Sequence, residues 1–168
     1  MLTVERLYRD LLTSDVRMVV ALPDSLLGPL CRLVTERGEI RYVQTCDEAT
    51  AVGITAGATL AGVRTLLIME NSGLRRACET LSRFLLSHRL HVVMLISHRG
   101  DFGEPNWWGI AHSETMDDHL RTLRIRSKRV SGADQFAGAL DDAYAMLGTG
   151  QCSVALVADR ALLAGAQR

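Results

Sequence analysis

The sequence predicts a three-layer, doubly wound α/β domain, a sheet of about six parallel strands with helices on both faces. Short apolar, β-branched runs alternate along the whole chain with longer amphipathic segments, the order that stacked βα units require. Four of the apolar runs are almost uninterrupted, as expected of strands covered on both faces. With 168 residues, 48% of them apolar, the chain can close a sizeable core as one domain without disulfides or metal.

A first amphipathic helix is expected over Val4 to Leu12, followed by a strand at Arg17 to Leu22 (RMVVAL). Pro23-Asp24 punctuates the chain, and Ser25 to Glu36 has helical periodicity. The second strand is Ile40 to Val43, and the small-residue stretch Glu48 to Leu60 is the next helix. Thr65 to Met69 (TLLIM) is the third strand, with a helix over Leu74 to Ser87. His91 to Ile96 (HVVMLI) is the fourth; a long loop from Ser97 to Ser113 separates it from a helix at Glu114 to Leu123. Ile125 to Val130, a helix over Ala133 to Leu147 and the strand Ser153 to Ala158 (SVALVA) complete the pattern.

Composition narrows the function classes. There are 19 basic and 19 acidic residues, so the net charge is zero and no long-range field favours nucleic acid or a membrane surface. The mean hydropathy of +0.11 is too high for disorder and leaves apolar surface for a partner chain. Cys31, Cys46, Cys78 and Cys152 are dispersed, with no C-x-x-C pair and no clustered His, so they read as buried thiols in a reducing cytoplasm rather than a zinc site. The N-terminus has no apolar signal core and no stretch approaches the roughly 20 residues of a membrane span, so a cytoplasmic protein is expected.

In open parallel sheets the chemistry gathers in the loops at the carboxyl ends of the strands. Here those loops read Pro23-Asp24-Ser25, Gln44-Thr45-Cys46-Asp47-Glu48, Glu70-Asn71-Ser72-Gly73 and the stretch holding His98, Arg99, Asp101, Glu104, Trp107, Trp108 and His112. Glu48 opens a helix of alanines and glycines that can approach another backbone closely; it could be a helix-capping acid, although Asp47 is the better cap. Asp24 or Ser25 could likewise cap a helix or bind an anion. The Trp107-Trp108 loop reads equally as a lid, a contact surface or an ordinary excursion packed on the domain. No Walker A, G-x-G-x-x-G, G-x-S-x-G or H-E-x-x-H pattern occurs, so the usual nucleotide, hydrolase and zinc-peptidase readings lack their central residues.

Three stretches carry a resemblance: Leu22-Pro23-Asp24-Ser25-Leu26-Leu27 with Pro29-Leu30, Asp47-Glu48-Ala49-Thr50-Ala51-Val52 continuing to Ala56-Gly57, and Met69-Glu70-Asn71-Ser72-Gly73-Leu74. In order and spacing they resemble the pyrimidine-binding (Pyr) domain of thiamine-diphosphate enzymes, in particular the sulfopyruvate decarboxylase α subunits and the matching half of the phosphonopyruvate decarboxylases. The likeness runs from about Leu2 through the last strand, so residues 1–168 are expected to be a single Pyr domain. It implies that Glu48 hydrogen-bonds N1′ of the cofactor's aminopyrimidine and favours the imino tautomer, whose 4′-nitrogen takes the thiazolium C2 proton. It also implies that Asn71, Ser72 and Gly73 lie beside the cofactor, that Asp24 and Ser25 face the substrate, and that His112 is a candidate proton donor late in the reaction. The sequence departs from the family after Leu74, where Arg75-Arg76 replaces the usual Gly-Asn and Glu79 replaces a later Asn. Two guanidinium groups at a helix start oppose the dipole and need an anionic ligand or an acidic partner surface as their reason.

The family's second (PP) domain holds the diphosphate through magnesium with a Gly-Asp-Gly motif and a later Asn pair. Neither is present, Gly100-Asp101-Phe102 being the nearest string. The resemblance therefore implies a 2-oxoacid decarboxylase subunit that needs thiamine diphosphate, Mg2+ bound mainly by the partner, and a separate PP-domain β subunit in an α2β2 or larger hetero-oligomer. The substrate would be a small phosphonopyruvate- or sulfopyruvate-like 2-oxoacid, with no metal site on this chain. A carboligase subunit, or a non-catalytic assembly subunit that retains the fold, are the other readings.

Overall fold

A computed structural model describes residues 3–159 and 161–162; the ends of the expected 1–168 domain, including Leu2, lie outside the described residues. Six strands form one sheet: β1 (Met18–Ala21), β2 (Arg41–Gln44), β3 (Thr65–Glu70), β4 (Val93–Ser97), β5 (Arg126–Val130) and β6 (Val154–Ala158). All neighbours are parallel in the order β2-β1-β3-β4-β6-β5, so the expected doubly wound sheet is present. The four interior strands are the uninterrupted apolar runs. β2 and β5 are the edges, and β5 exposes four of its five residues, Arg126, Lys128 and Arg129 among them. Charge along an unpaired edge discourages another strand from adding to it.

Side chains alternate across each interior strand and feed two cores. Val19, Ala21, Leu66, Ile68, Val93, Leu95 and Leu156 pack with Leu7, Leu11, Leu30, Val34, Phe136 and Leu140 from helices α1 (Thr3–Thr13), α2 (Gly28–Arg37) and α6 (Ala133–Gly148). On the other face, Val20, Leu67, Met69, Met94, Ile96 and Val157 meet residues of α3 (Glu48–Leu60), α4 (Asn71–Glu79), its π-helical continuation Thr80–Leu86, and α5 (Trp107–Thr122). The chain reverses its winding direction between β1 and β3, which opens a crevice at their carboxyl ends, where ligands of such folds bind.

Three helix starts differ from expectation by three residues or more. α2 begins at Gly28, not Ser25, because the Asp24 carboxylate gathers the Leu26 and Leu27 amides into a turn first. α4 starts directly after β3 at Asn71, and what reads as one regular helix passes into π geometry at Thr80. The largest difference is α5, which begins at Trp107 rather than Glu114, so the loop is only half as long as expected and Trp107, Trp108 and His112 are helical. Its first turns were hard to recognise because their large apolar residues face outward: Trp107, Trp108 and Ile110 are exposed, and the buried residue among them is Gly109. Periodicity detects a buried stripe, and this helix buries a glycine there.

Candidate active site

Glu48 opens α3, and the local chemistry leaves its carboxylate uncommitted. Asp47 is the N-cap: it is extended at φ −159°, its Oδ1 accepts from the Thr50 amide at 3.0 Å and its Oδ2 from the Thr50 hydroxyl at 2.6 Å. Those bonds favour the ionised form and hold the Asp47 carboxyl below its usual range. With the cap supplied by its neighbour, the half-buried Glu48 carboxylate has no hydrogen-bond or ion-pair partner among the described residues. It lies instead against the first turn of α4. A Cβ placed on Gly73 would sit 2.5 Å from both Cγ and Oε1 of Glu48, so glycine at 73 makes the space the carboxylate occupies.

Further along α3, a Cβ added at Gly53 or Gly57 would meet nothing within 4 Å. Among the described residues nothing fills the space at these two glycines. Cys46, expected to be buried, is exposed at the same rim, its Sγ 3.6 Å from Asp47 Oδ2, because it lies in the β2–α3 loop at the sheet edge. Cys31 is buried, and desolvation pushes its thiol up to about 11.

The loop after β1 is held by Asp24, both of whose oxygens are used. Oδ1 accepts from the amides of Leu26 and Leu27 at 2.5 and 3.0 Å, and Oδ2 from the Ser97 hydroxyl at 3.0 Å. Asp24 thus orients the loop, and Ser25 beside it is exposed. Asn71, at the start of α4, is fully buried, and its amide faces inward. Nδ2 donates to the Arg99 carbonyl at 2.8 Å and Oδ1 accepts from the Arg99 amide at 3.3 Å. Ser72 donates to Glu70 Oε1 at 2.9 Å.

Arg99, named in the sequence only as one residue of a long loop, is where these elements converge. Its Nε donates to Glu70 Oε2 at 3.0 Å and its Nη2 to Ser25 Oγ, so one guanidinium links the loops after β1, β3 and β4. Beside it, buried His98 bonds Asp101 through Nδ1 at 2.9 Å and Ser113 through Nε2 at 3.2 Å. Gly100, at φ +95°, packs so closely on α5 that an added Cβ would strike the Gly109 carbonyl. One available signal was position: Glu70 and Arg99 are the charged residues that end or follow two interior apolar strands.

His112 stands on α5, and Arg75 Nη1 approaches its Nδ1 at 3.1 Å. An arginine can only donate, so Nδ1 accepts and the neutral ring carries its proton on Nε2. Arg75 therefore has a reason other than the expected anionic ligand or acidic partner: it ties α4 to α5. A cavity of about 340 Å3 lies at the opposite, amino-terminal end of the sheet, lined by Leu81, Leu85, Arg89, His91, Arg124 and Ile125 among others. Its lining includes no residue of the carboxyl rim. Among the described residues no helix is long and apolar enough to cross a membrane, and no cluster of three or more His, Cys, Asp or Glu could hold a metal ion.

A scan against models of known protein families finds no match. The chain is 27% identical over 121 residues to the sulfopyruvate decarboxylase subunit alpha of Methanococcus maripaludis, an alignment covering 72% of each protein. It is 34% identical over 89 residues to the phosphonopyruvate decarboxylase of Streptomyces viridochromogenes, covering 53% of this chain and 22% of that enzyme. Its fold matches a 2-oxoglutarate:ferredoxin oxidoreductase from Magnetococcus marinus with a TM-score of 0.70 at 15% identity, over 97% of this chain and 29% of that one. The resemblance carried by the three rim stretches is thus borne out across most of the chain.

Proposed function

We propose that this chain is the Pyr-type α subunit of a split, thiamine-diphosphate-dependent 2-oxoacid decarboxylase acting on a sulfopyruvate- or phosphonopyruvate-like substrate. The observation that carries the reading is the Glu48 carboxylate, relieved of capping by Asp47 and resting in the space left by Gly73. A half-buried carboxylate with no internal partner, at a crevice lined by a missing Cβ, fits the ring nitrogen of an aminopyrimidine. When bound, thiamine diphosphate supplies a nucleophilic carbon for the 2-oxo group and a sink for the electron pair released as CO2 departs.

The chain's own residues take the remaining roles. Glu48 would hold the ring nitrogen by sharing its carboxyl proton with it, which favours the imino tautomer. Gly73 keeps the approach open, while Asn71 and Ser72 fix the turn beside it through Arg99 and Glu70. Ser25 presents a hydroxyl to the substrate from the loop that Asp24 holds. His112, with its proton on Nε2, is the candidate donor to the product carbon.

The diphosphate and its Mg2+ would be held by a PP-domain β subunit. Support for that partner is the apolar surface beside the rim: Phe102 is fully exposed, Trp107 78%, Trp108 48% and Ile110 45%. Large exposed aromatics in one patch mark contact surfaces, and buried Trp dominates interface energies. Replacing Trp107 and Trp108 together by Ser is expected to weaken binding of the co-purifying partner by about 30-fold or more. The chain's own melting temperature should stay within roughly 3 °C. Titration of tagged chain against partner checks it. Free thiols such as exposed Cys46 suit a cytoplasmic setting.

The reaction itself is tested by product analysis on the complex recovered through a tagged chain. Sulfopyruvate or phosphonopyruvate should give CO2 and the corresponding aldehyde, unchanged in yield when an acceptor aldehyde is added. A coupled product in place of the simple aldehyde would show carboligation instead.

A further inference from the structure

We propose that Arg99, with Ser25, forms the subsite that reads the second acid group of the substrate, the sulfonate or phosphonate rather than the carboxylate that leaves. This inference rests on the decarboxylase reading above and assigns a specificity-determining role to a residue within it.

The guanidinium is only partly committed. Nε is used by Glu70 and one Nη2 hydrogen by Ser25, while Nη1 has no hydrogen-bond partner among the described residues; the charge is also felt by the Glu104 carboxylate. Its side chain is 19% exposed, as is that of Glu70, so the pair is largely withdrawn from water yet open at the end where exposed Ser25 sits. Ser25 Oγ accepts from Arg99, which leaves its own hydrogen to donate elsewhere. Unused Nη hydrogens beside a hydroxyl hydrogen match the oxygens of a tetrahedral oxyanion.

Arg99 could instead be a strut that holds the three loops together, but each loop is fixed without its side chain. Asn71 grips the Arg99 backbone through both atoms of its amide. Asp24 ties the β1 loop to Ser97 at the end of β4. His98, Asp101 and Ser113 fasten the loop after β4 to α5. The guanidinium is therefore surplus to the architecture. Glu70, itself oriented by Ser72, holds Nε and so fixes the direction in which the free edge points.

Chemistry decides which anion it serves. A carboxylate held by arginine is stabilised in the ground state, and that stabilisation is lost as CO2 forms, so a guanidinium there would raise the barrier. On an acid group that keeps its charge throughout, the same contact binds ground and transition states equally and lowers KM.

The test compares wild-type and Arg99→Gln complexes, recovered with their partner, on sulfopyruvate, phosphonopyruvate and pyruvate. The expected result is a KM for the doubly acidic substrates raised about 100-fold with kcat within about threefold. Melting temperature should stay within roughly 3 °C of wild type, and Arg99→Lys should restore part of the affinity. The proposal is overturned if kcat falls while KM stays, if the variant melts well below wild type, or if pyruvate loses as much kcat/KM as sulfopyruvate. A wild-type complex that releases CO2 from none of the three overturns the decarboxylase reading, and this inference with it.

Discussion

Glu48→Gln is expected to lower turnover by the assembled enzyme roughly a thousandfold while the chain folds and melts as before. Folding should be indifferent because the cap of α3 belongs to Asp47 and the Glu48 carboxylate has no partner to lose. Turnover should not be, because glutamine matches the size of the side chain and can still donate a hydrogen bond, but its amide cannot share a proton with a ring nitrogen. The chemistry needs the carboxyl group specifically, so the isosteric change removes the function and little else. Thermal melting of the chain and single-turnover CO2 release by the complex are the paired measurements. An unchanged rate would favour an assembly subunit that retains the fold without the chemistry.

The second large effect is expected at Gly73→Ala, where stability and activity should move apart. Glycine inside a helix costs about 1 kcal/mol relative to alanine, so on propensity alone the variant should be at least as stable as the native chain. The new Cβ, however, would stand 2.5 Å from Glu48 Cγ and Oε1, and a side chain with rotatable bonds yields before a helix backbone does. The Glu48 carboxylate swings out of its space, and turnover is expected to fall by about 10- to 100-fold. Equal melting temperatures with a clear loss of rate would locate the effect at Glu48. Equal rates would mean that the space made by Gly73 does not matter to the reaction.

These residues also show how far the sequence could be read. Asp47 against Glu48 was legible, since two adjacent acids before a small-residue helix can share one cap and α3 begins where the pattern said. The interior strands were legible because a short, almost uninterrupted apolar run fits a strand covered on both faces. The start of α5 was not, because its early aromatic residues point to solvent and an outward apolar face carries no period of burial. Arg99 was missed for a different reason. Its meaning lies in three loops meeting, at Ser25, Glu70 and Asn71, and no spacing along the chain expresses that convergence. The resemblance places Gly73 beside the cofactor, but that its neighbour is Glu48 follows only from the packing of α3 on α4.

The central claim is that these residues form one side of a shared active site. Its most direct test is CO2 release from sulfopyruvate and phosphonopyruvate, measured for the purified chain alone and for the complex it recovers from its native cell. Both samples are run with thiamine diphosphate and Mg2+ supplied and then removed. No release is expected from the chain alone under any condition, and release by the complex should disappear with the cofactor. Robust turnover by the isolated chain, or turnover by the complex that persists without thiamine diphosphate, would contradict it.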